Sequence, residues 1–175
     1  QAIPTLFAKE CAAVAGTSTT EAKGRDTVRM IESLSGKTLF RPGDVSDSKQ
    51  MKVLIDETVK RFGGLDIVVN SAGVRTNGSI TEITEEQWDR TIGVNLKGVF
   101  VVSRLAIPEM IKRGGGVILN IGARSGMAGQ AGRAAIADQL PRHRSRQWVG
   151  RHAREHVRPA ALQRQVQVRQ RRGYA

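Results

Sequence analysis

Three short polar or glycine-containing segments each follow directly on a run of apolar residues: Thr17-Ser18-Thr19, Asn70-Ser71-Ala72-Gly73 and Gly122-Ala123-Arg124-Ser125. Hydroxyls, amides and open backbone in such places do the chemistry of ligand binding. Metal chemistry is poorly supported. His152 and His156 stand four apart, but no Cys or second acidic cluster completes a ligand set with them or with His143, so they read as exposed polar residues. Cys11 is the single cysteine, which leaves no internal disulfide and fits a reducing cytoplasm. It reads as a small buried apolar residue at the start of a strand rather than a reactive thiol.

The elements that must hold these segments alternate in type. Residues 2–10 read as a helix with Pro4 near its start, where a missing N–H costs nothing. Residues 12–16 read as a strand. Residues 21–34 read as a helix with Val28, Ile31 and Leu34 on one face, and residues 38–40 as a second strand. Asp47 and Gln50 resemble a capping box. Met51, Leu54, Ile55, Val59 and Phe62 then recur at spacings of three and four, with Gly63 as the stop. Residues 65–70 form a third, almost wholly apolar strand. Thr84 and Gln87 give another capping box before a long helix to about Arg113, which Pro108 is expected to kink. Trp88 packs on that helix. Residues 117–121 form a fourth strand. Strands without polar alternation, separated by helix-length segments, predict an α/β fold with a parallel sheet covered on both faces. In such sheets ligands bind beyond the carboxyl ends of the strands.

The net charge of +12 is unevenly spread. Residues 1–132 carry 8 Lys, 9 Arg and 14 acids, a net of +3, whereas residues 133–175 carry 11 Arg, no Lys and 2 acids, a net of +9. Two units follow: residues 1–135, and a basic tail of 136–175. The tail has poor apolar periodicity and six Gln between residues 139 and 170. It has three readings: a shifted reading frame of a GC-rich gene, a solvated segment, or a polyanion-binding segment. Nucleic acid is the least favoured, because Trp148 is the one aromatic before Tyr174 and stacking platforms are scarce. No run approaches 18 apolar residues, so no membrane span is expected. No secretory signal is evident at residues 1–4.

Residues 70–73, directly after Leu65-Asp66-Ile67-Val68-Val69, resemble the Asn-Asn-Ala-Gly motif of the short-chain dehydrogenase/reductase family. Val94-Asn95-Leu96-Lys97-Gly98 is similar to its helix motif with a catalytic Asn. Residues 116–122 are similar to the strand before its catalytic Ser, and Asp44-Val45 to its adenine-binding pair. The four stand in the family's order over residues 1 to about 135. The nearest flavour resembles the 3-oxoacyl-carrier-protein reductases, through Gly16-Thr17-Ser18-Thr19.

The resemblance implies a Rossmann-like doubly wound parallel sheet and hydride transfer between NADP (or NAD) and a small-molecule carbonyl or alcohol. It assigns Asn95 to catalysis, where the family's Asn holds a water in the proton relay. It assigns Ser18, Thr19, Asp44, Val45, Asn70, Ser71, Ala72 and Gly73 to cofactor binding. Ser18 and Thr19 stand where an acidic residue would hold the ribose hydroxyls of NAD, and this favours NADP. Asp44 also has a plain reading as a helix-start residue, and Asn95 as a backbone-bonding one. The family's Ser, Tyr and Lys fall at Ala123, Ile136 and Leu140, none of which can transfer a proton; Ser125 lies two positions off. The chain as written is therefore expected to be inactive. The first strand and its glycine-rich turn are also missing before Gln1, so a partial sequence of a longer protein is expected, with a sheet split in two. Family members commonly pair through the helix near residues 85–113, so a homo-oligomer is implied. The competing reading is a non-catalytic remnant of the fold whose basic tail binds nucleic acid or an acidic partner.

Overall fold

The computed structural model describes residues 2–122 and 146–149. In chain order the elements are α1 (Ala2–Lys9), β1 (Val14–Ser18), α2 (Glu21–Glu32), β2 (Thr38–Pro42), α3 (Ser48–Phe62), β3 (Ile67–Asn70), α4 (Glu85–Ile92), a π-helical segment (Gly93–Lys97), α5 (Gly98–Lys112), β4 (Gly116–Asn120) and β5 (Arg146–Val149). The fold is a partial Rossmann-like α/β arrangement. β1 runs parallel to β2, with Gly16 opposite Phe40, and β3 runs parallel to β4, with Val68 opposite Ile118. These pairs belong to separate sheets, β1-β2 and β3-β4-β5. Among the described residues, β1 and β3 each keep one edge without a ladder partner. That is the division expected of a doubly wound sheet without its central first strand.

Successive strand residues point to opposite faces, and β2 shows both faces covered. Leu39 packs with Met51 and Leu54 of α3. Phe40, on the other face, lies under Gly24 of α2, where a Cβ would overlap its ring. One layer of helices joins the two sheets. Met51, Leu54 and Val101 pack with Ala15 and Leu39, while Ile55, Ala106 and Met110 pack with Val68 and Ile118. Val102 and Leu105 border both clusters. The division of the sheet is thus bridged by α3 and α5, whose apolar stripes are wide enough to serve both halves.

Several local expectations are corrected. β1 begins at Val14, and Cys11 is exposed in the turn that ends α1, with φ 62 and its N–H bonded to the Ala8 carbonyl at 3.0 Å. α2 stops at Glu32, so Leu34 leaves the face it shares with Ile31 and is 39% exposed, against 1% for Ile31. Asp47 caps α3 by accepting from the Lys49 and Gln50 N–H groups, but Gln50 does not return a bond to the Asp47 backbone. Its Oε1 accepts from the Asp44 N–H at 2.9 Å instead. The Thr84–Gln87 capping box is present in full. Gly63 ends α3 in the left-handed region, φ 81, as a stop glycine should. The long helix loses its regular register at Gly93–Lys97 rather than at Pro108, which sits exposed inside α5.

The helical run Glu85–Lys112 is 28 residues long with a window of mean hydropathy 1.2, so by length and composition it could cross a membrane. A count of uninterrupted apolar residues passes over it. One side of it packs in the core: Ala106 and Met110 have no exposed surface and touch β3 and β4 through the cluster around Ile118, while 28% of the apolar window as a whole is buried. β5 lies inside the basic tail and pairs antiparallel to β4, with Arg146 opposite Leu119; no strand was expected there. Ala123, Ser125, Ile136, Leu140 and the rest of the tail lie outside the described residues.

Candidate functional site: loops at the strand carboxyl ends

β1, β3 and β4 end in the polar residues Ser18, Asn70 and Asn120, and β2 in Pro42. At the β1–β2 end, the Ser18 carbonyl accepts from Gly43 N–H at 3.2 Å and Thr17 Oγ1 donates to the Gly43 carbonyl at 3.2 Å. Ser18 Oγ accepts from the Thr20 N–H at 3.1 Å, which leaves its own O–H free to donate, and Thr19 is exposed. Arg41, the cation nearest in register, opposite Thr17, is taken by Glu57 through two bonds of 2.5 Å. The hydrogen bond from Arg41 holds the Glu57 carboxyl below its ordinary value.

Beyond β2, the Asp44 carboxylate accepts three hydrogen bonds. Oδ1 accepts from the Ser46 N–H at 2.9 Å and from Ser46 Oγ at 2.7 Å, and Oδ2 accepts from Arg90 Nη1 at 2.5 Å. Partial burial pushes the carboxyl up, but the hydrogen bonds from Arg90 and Ser46 outweigh it and hold the pKa at about 2. Val45 next to it packs on Gly98 of α5, where a Cβ would stand 2.6 Å from Val45 Cγ2.

At the β3–β4 end, Asn70 Nδ2 donates to Asn120 Oδ1 at 2.8 Å and to Ser103 Oγ at 3.4 Å, tying the two strand ends to each other and to α5. Ser71, Ala72 and Gly73 are exposed. The loop continues to Val74, whose N–H donates to Asn95 Oδ1 at 2.9 Å and whose carbonyl accepts from Asn95 Nδ2 at 3.0 Å. Two residues on, Thr76 Oγ1 meets Thr91 Oγ1 at 2.7 Å, and Thr91 is fully buried.

These contacts share one support. Arg90, Thr91 and Asn95 lie on α4 and the π-helical segment, five residues or about 7 Å of helix apart. Through them the loop after β2 and the loop after β3 are drawn to one place, although their sheets are separate. A π-helical turn at such a place is a frequent mark of function. Asn95 spends both side-chain polar atoms on Val74, though each retains one further bonding position.

Sequence reasoning missed Arg90, Thr76, Thr91 and Ser103, because nothing in the spacing of a polar helix marks which residue reaches another loop. The described residues contain no cluster of three or more His, Cys, Asp or Glu able to hold a metal. A cavity of about 450 Å3 lies away from this site, at the other end of β2, lined by Glu32, Gly36, Lys37, Thr38, Arg61 and Phe62. It contains none of the candidate residues.

Fold and site together define a Rossmann-like α/β protein with its polar loops gathered at the strand carboxyl ends. The family model for short chain dehydrogenase matches residues 1–137, and the chain belongs to the short-chain dehydrogenase family. It is 43% identical over 124 residues to an uncharacterised oxidoreductase of Thermotoga maritima, covering 71% of this chain and 49% of that protein. It is 35% identical over 132 residues to the 3-oxoacyl-[acyl-carrier-protein] reductase FabG of the same organism, covering 75% and 54%. An uncharacterised NAD-dependent oxidoreductase of Mycobacterium tuberculosis is 38% identical over 133 residues, covering 73% and 48%. A short-chain dehydrogenase/reductase crystal structure from Burkholderia xenovorans superposes with a TM-score of 0.75 at 30% identity, covering 79% of this chain and 53% of that one. The chain spans about half the length of these relatives.

Proposed function

We propose that this chain carries the adenosine-side half of a nicotinamide-cofactor site from an oxidoreductase that transfers hydride between NAD(P)(H) and a carbonyl or alcohol. The observation that carries the reading is the convergence of residues 43–46 and 71–76 on Arg90, Thr91 and Asn95. The donor set suits that half. Asp44 offers carboxylate acceptors for an amino group, and Ser18 and Thr19 offer hydroxyl donors for a ribose phosphate, which favours NADP over NAD. When bound, the nicotinamide ring supplies the hydride.

This chain's own residues bind and orient. Asn70 fixes the ends of β3 and β4, and Asn95 fixes Val74. Proton transfer is the missing part. The positions that align with the family's Ser, Tyr and Lys hold Ala123, Ile136 and Leu140, so the chain as written binds without turnover. Incubation with saturating NADPH and a panel of ketones tests this, and reduction well above the uncatalysed background would contradict it.

Self-association is part of the proposal. Leu96, Phe100 and Ile111 are 49%, 59% and 62% exposed on the π-helical segment and α5, and an exposed apolar stripe of that kind suits a second copy of the chain.

A further inference from the structure

We propose that Arg90 is a positioning residue that fixes the loop 43–47 in the form that receives an adenine ring. The inference rests on the assignment of Asp44 to adenine contact. Arg90 sits 46 residues from Asp44 in sequence and reaches it from a different element, Nη1 to Oδ2 at 2.5 Å. The other bonds of the loop are local, run to α3, or join Gly43 to Thr17 and Ser18 of β1: Ser46 to Asp44 Oδ1, Asp44 N–H to Gln50 Oε1, Gln50 Nε2 to Asp47 Oδ2, Gly43 N–H to the Ser18 carbonyl, and Thr17 Oγ1 to the Gly43 carbonyl. The Arg90 bond is therefore the polar tie between this loop and the helix that also holds the loop after β3.

The span of 46 residues between two elements separates this pair from the i,i+3 and i,i+4 ion pairs of the helix surfaces. The Asp44 side chain is 23% exposed and Arg90 is 51% exposed. Arg90 is a half-exposed rim group whose loss opens no cavity, while Asp44 would keep its two bonds from Ser46 and lose the one that aims Oδ2. Held as it is, Asp44 Oδ2 keeps one acceptor site beyond its bond from Arg90, while both sites of Oδ1 are taken by Ser46. An exocyclic amino group needs such an acceptor, ionised and fixed. Val45 on Gly98 sets the depth of the loop, and Arg90 sets its direction.

The test uses the full chain and two readouts. The first is hydrogen exchange at the amides of residues 44–47, which needs no ligand. Arg90→Met is expected to speed exchange there by about tenfold, with α5 unchanged, and Arg90→Lys to restore most of the protection because a single bond is being replaced. The second is 5′-AMP affinity. Arg90→Met and Asp44→Ala are each expected to weaken it by about tenfold, and the double variant by no more than either alone. Unchanged exchange in Arg90→Met overturns the role of Arg90, as do losses of AMP affinity that multiply in the double variant. Failure of the unsubstituted chain to bind AMP contradicts the adenine assignment itself, and with it the proposal as stated. The exchange data then still show whether Arg90 fixes the loop.

Discussion

Asn95 and Val74 form a closed two-bond pair, with the amide oxygen accepting from the Val74 N–H at 2.9 Å and the amide nitrogen donating to the Val74 carbonyl at 3.0 Å. A side-chain amide presents a donor and an acceptor side by side, which is what one residue's N–H and C=O require in this geometry. An acid or an alcohol cannot replace it.

Asn95→Ala removes both bonds and leaves a partly buried backbone donor and acceptor without them. A loss of about 1–3 kcal/mol is expected in urea unfolding. Asn95→Asp keeps the shape but not the donor, and is expected to lose a comparable amount at neutral pH. An Asp variant as stable as the original chain would mean that the Val74 carbonyl bond contributes nothing.

Acid dependence follows from Asp44. Its folded-state pKa is lowered to about 2, below the unfolded value near 3.8. The stabilisation is therefore complete above pH 4 and is lost as pH falls towards 2. It amounts to about 1–2 kcal/mol after solvent screening. In Arg90→Met this part of the acid loss is expected to shrink, as seen in unfolding midpoints between pH 2 and 5. An identical acid profile in both proteins would contradict the pairing.

Gly98 lies in a regular helical conformation, φ −58, so Ala there would ordinarily stabilise the helix by about 1 kcal/mol. The contact with Val45 reverses the sign, because an added Cβ would stand 2.6 Å from Val45 Cγ2 and 3.3 Å from its Cβ. A β-branched side chain has little room to turn away. Gly98→Ala is expected to lower stability by about 1–3 kcal/mol, and adding Val45→Ala should recover part of that. A stabilised Gly98→Ala protein would show that the contact relaxes freely.

Self-association should depend on the exposed stripe of α5. Phe100→Glu places a charge at its centre and is expected to shift sedimentation towards the monomer without a change in unfolding midpoint at low protein concentration. Equal sedimentation of the two proteins would argue against this face as the contact.

The regular elements were largely legible in the sequence. The apolar spacing of Met51, Leu54, Ile55 and Val59 gave α3, and the unbroken apolar run before Asn70 gave β3. The boundaries moved where the signal was local. Cys11 and Leu34 are apolar residues in connections, and hydrophobicity alone cannot tell a connection from the element beside it. The two separate sheets were expected from the resemblance alone, since the pairing of strands far apart in sequence is not written in their own residues. In the site, motif positions such as Asn70 and Asn95 could be named, but their partners could not. Ser103, Thr76 and Arg90 each reach across 15 to 46 residues, and no spacing rule spans such a distance.

The decisive measurement is a calorimetric titration of the full chain with 2′-phospho-AMP (adenosine 2′,5′-bisphosphate) and, separately, with 5′-AMP. Both ligands should bind, with the 2′-phosphorylated one tighter because Ser18 and Thr19 donate where an acid would repel. Absence of binding by either would contradict the adenosine-side site, and tighter binding of 5′-AMP would contradict the preference for NADP.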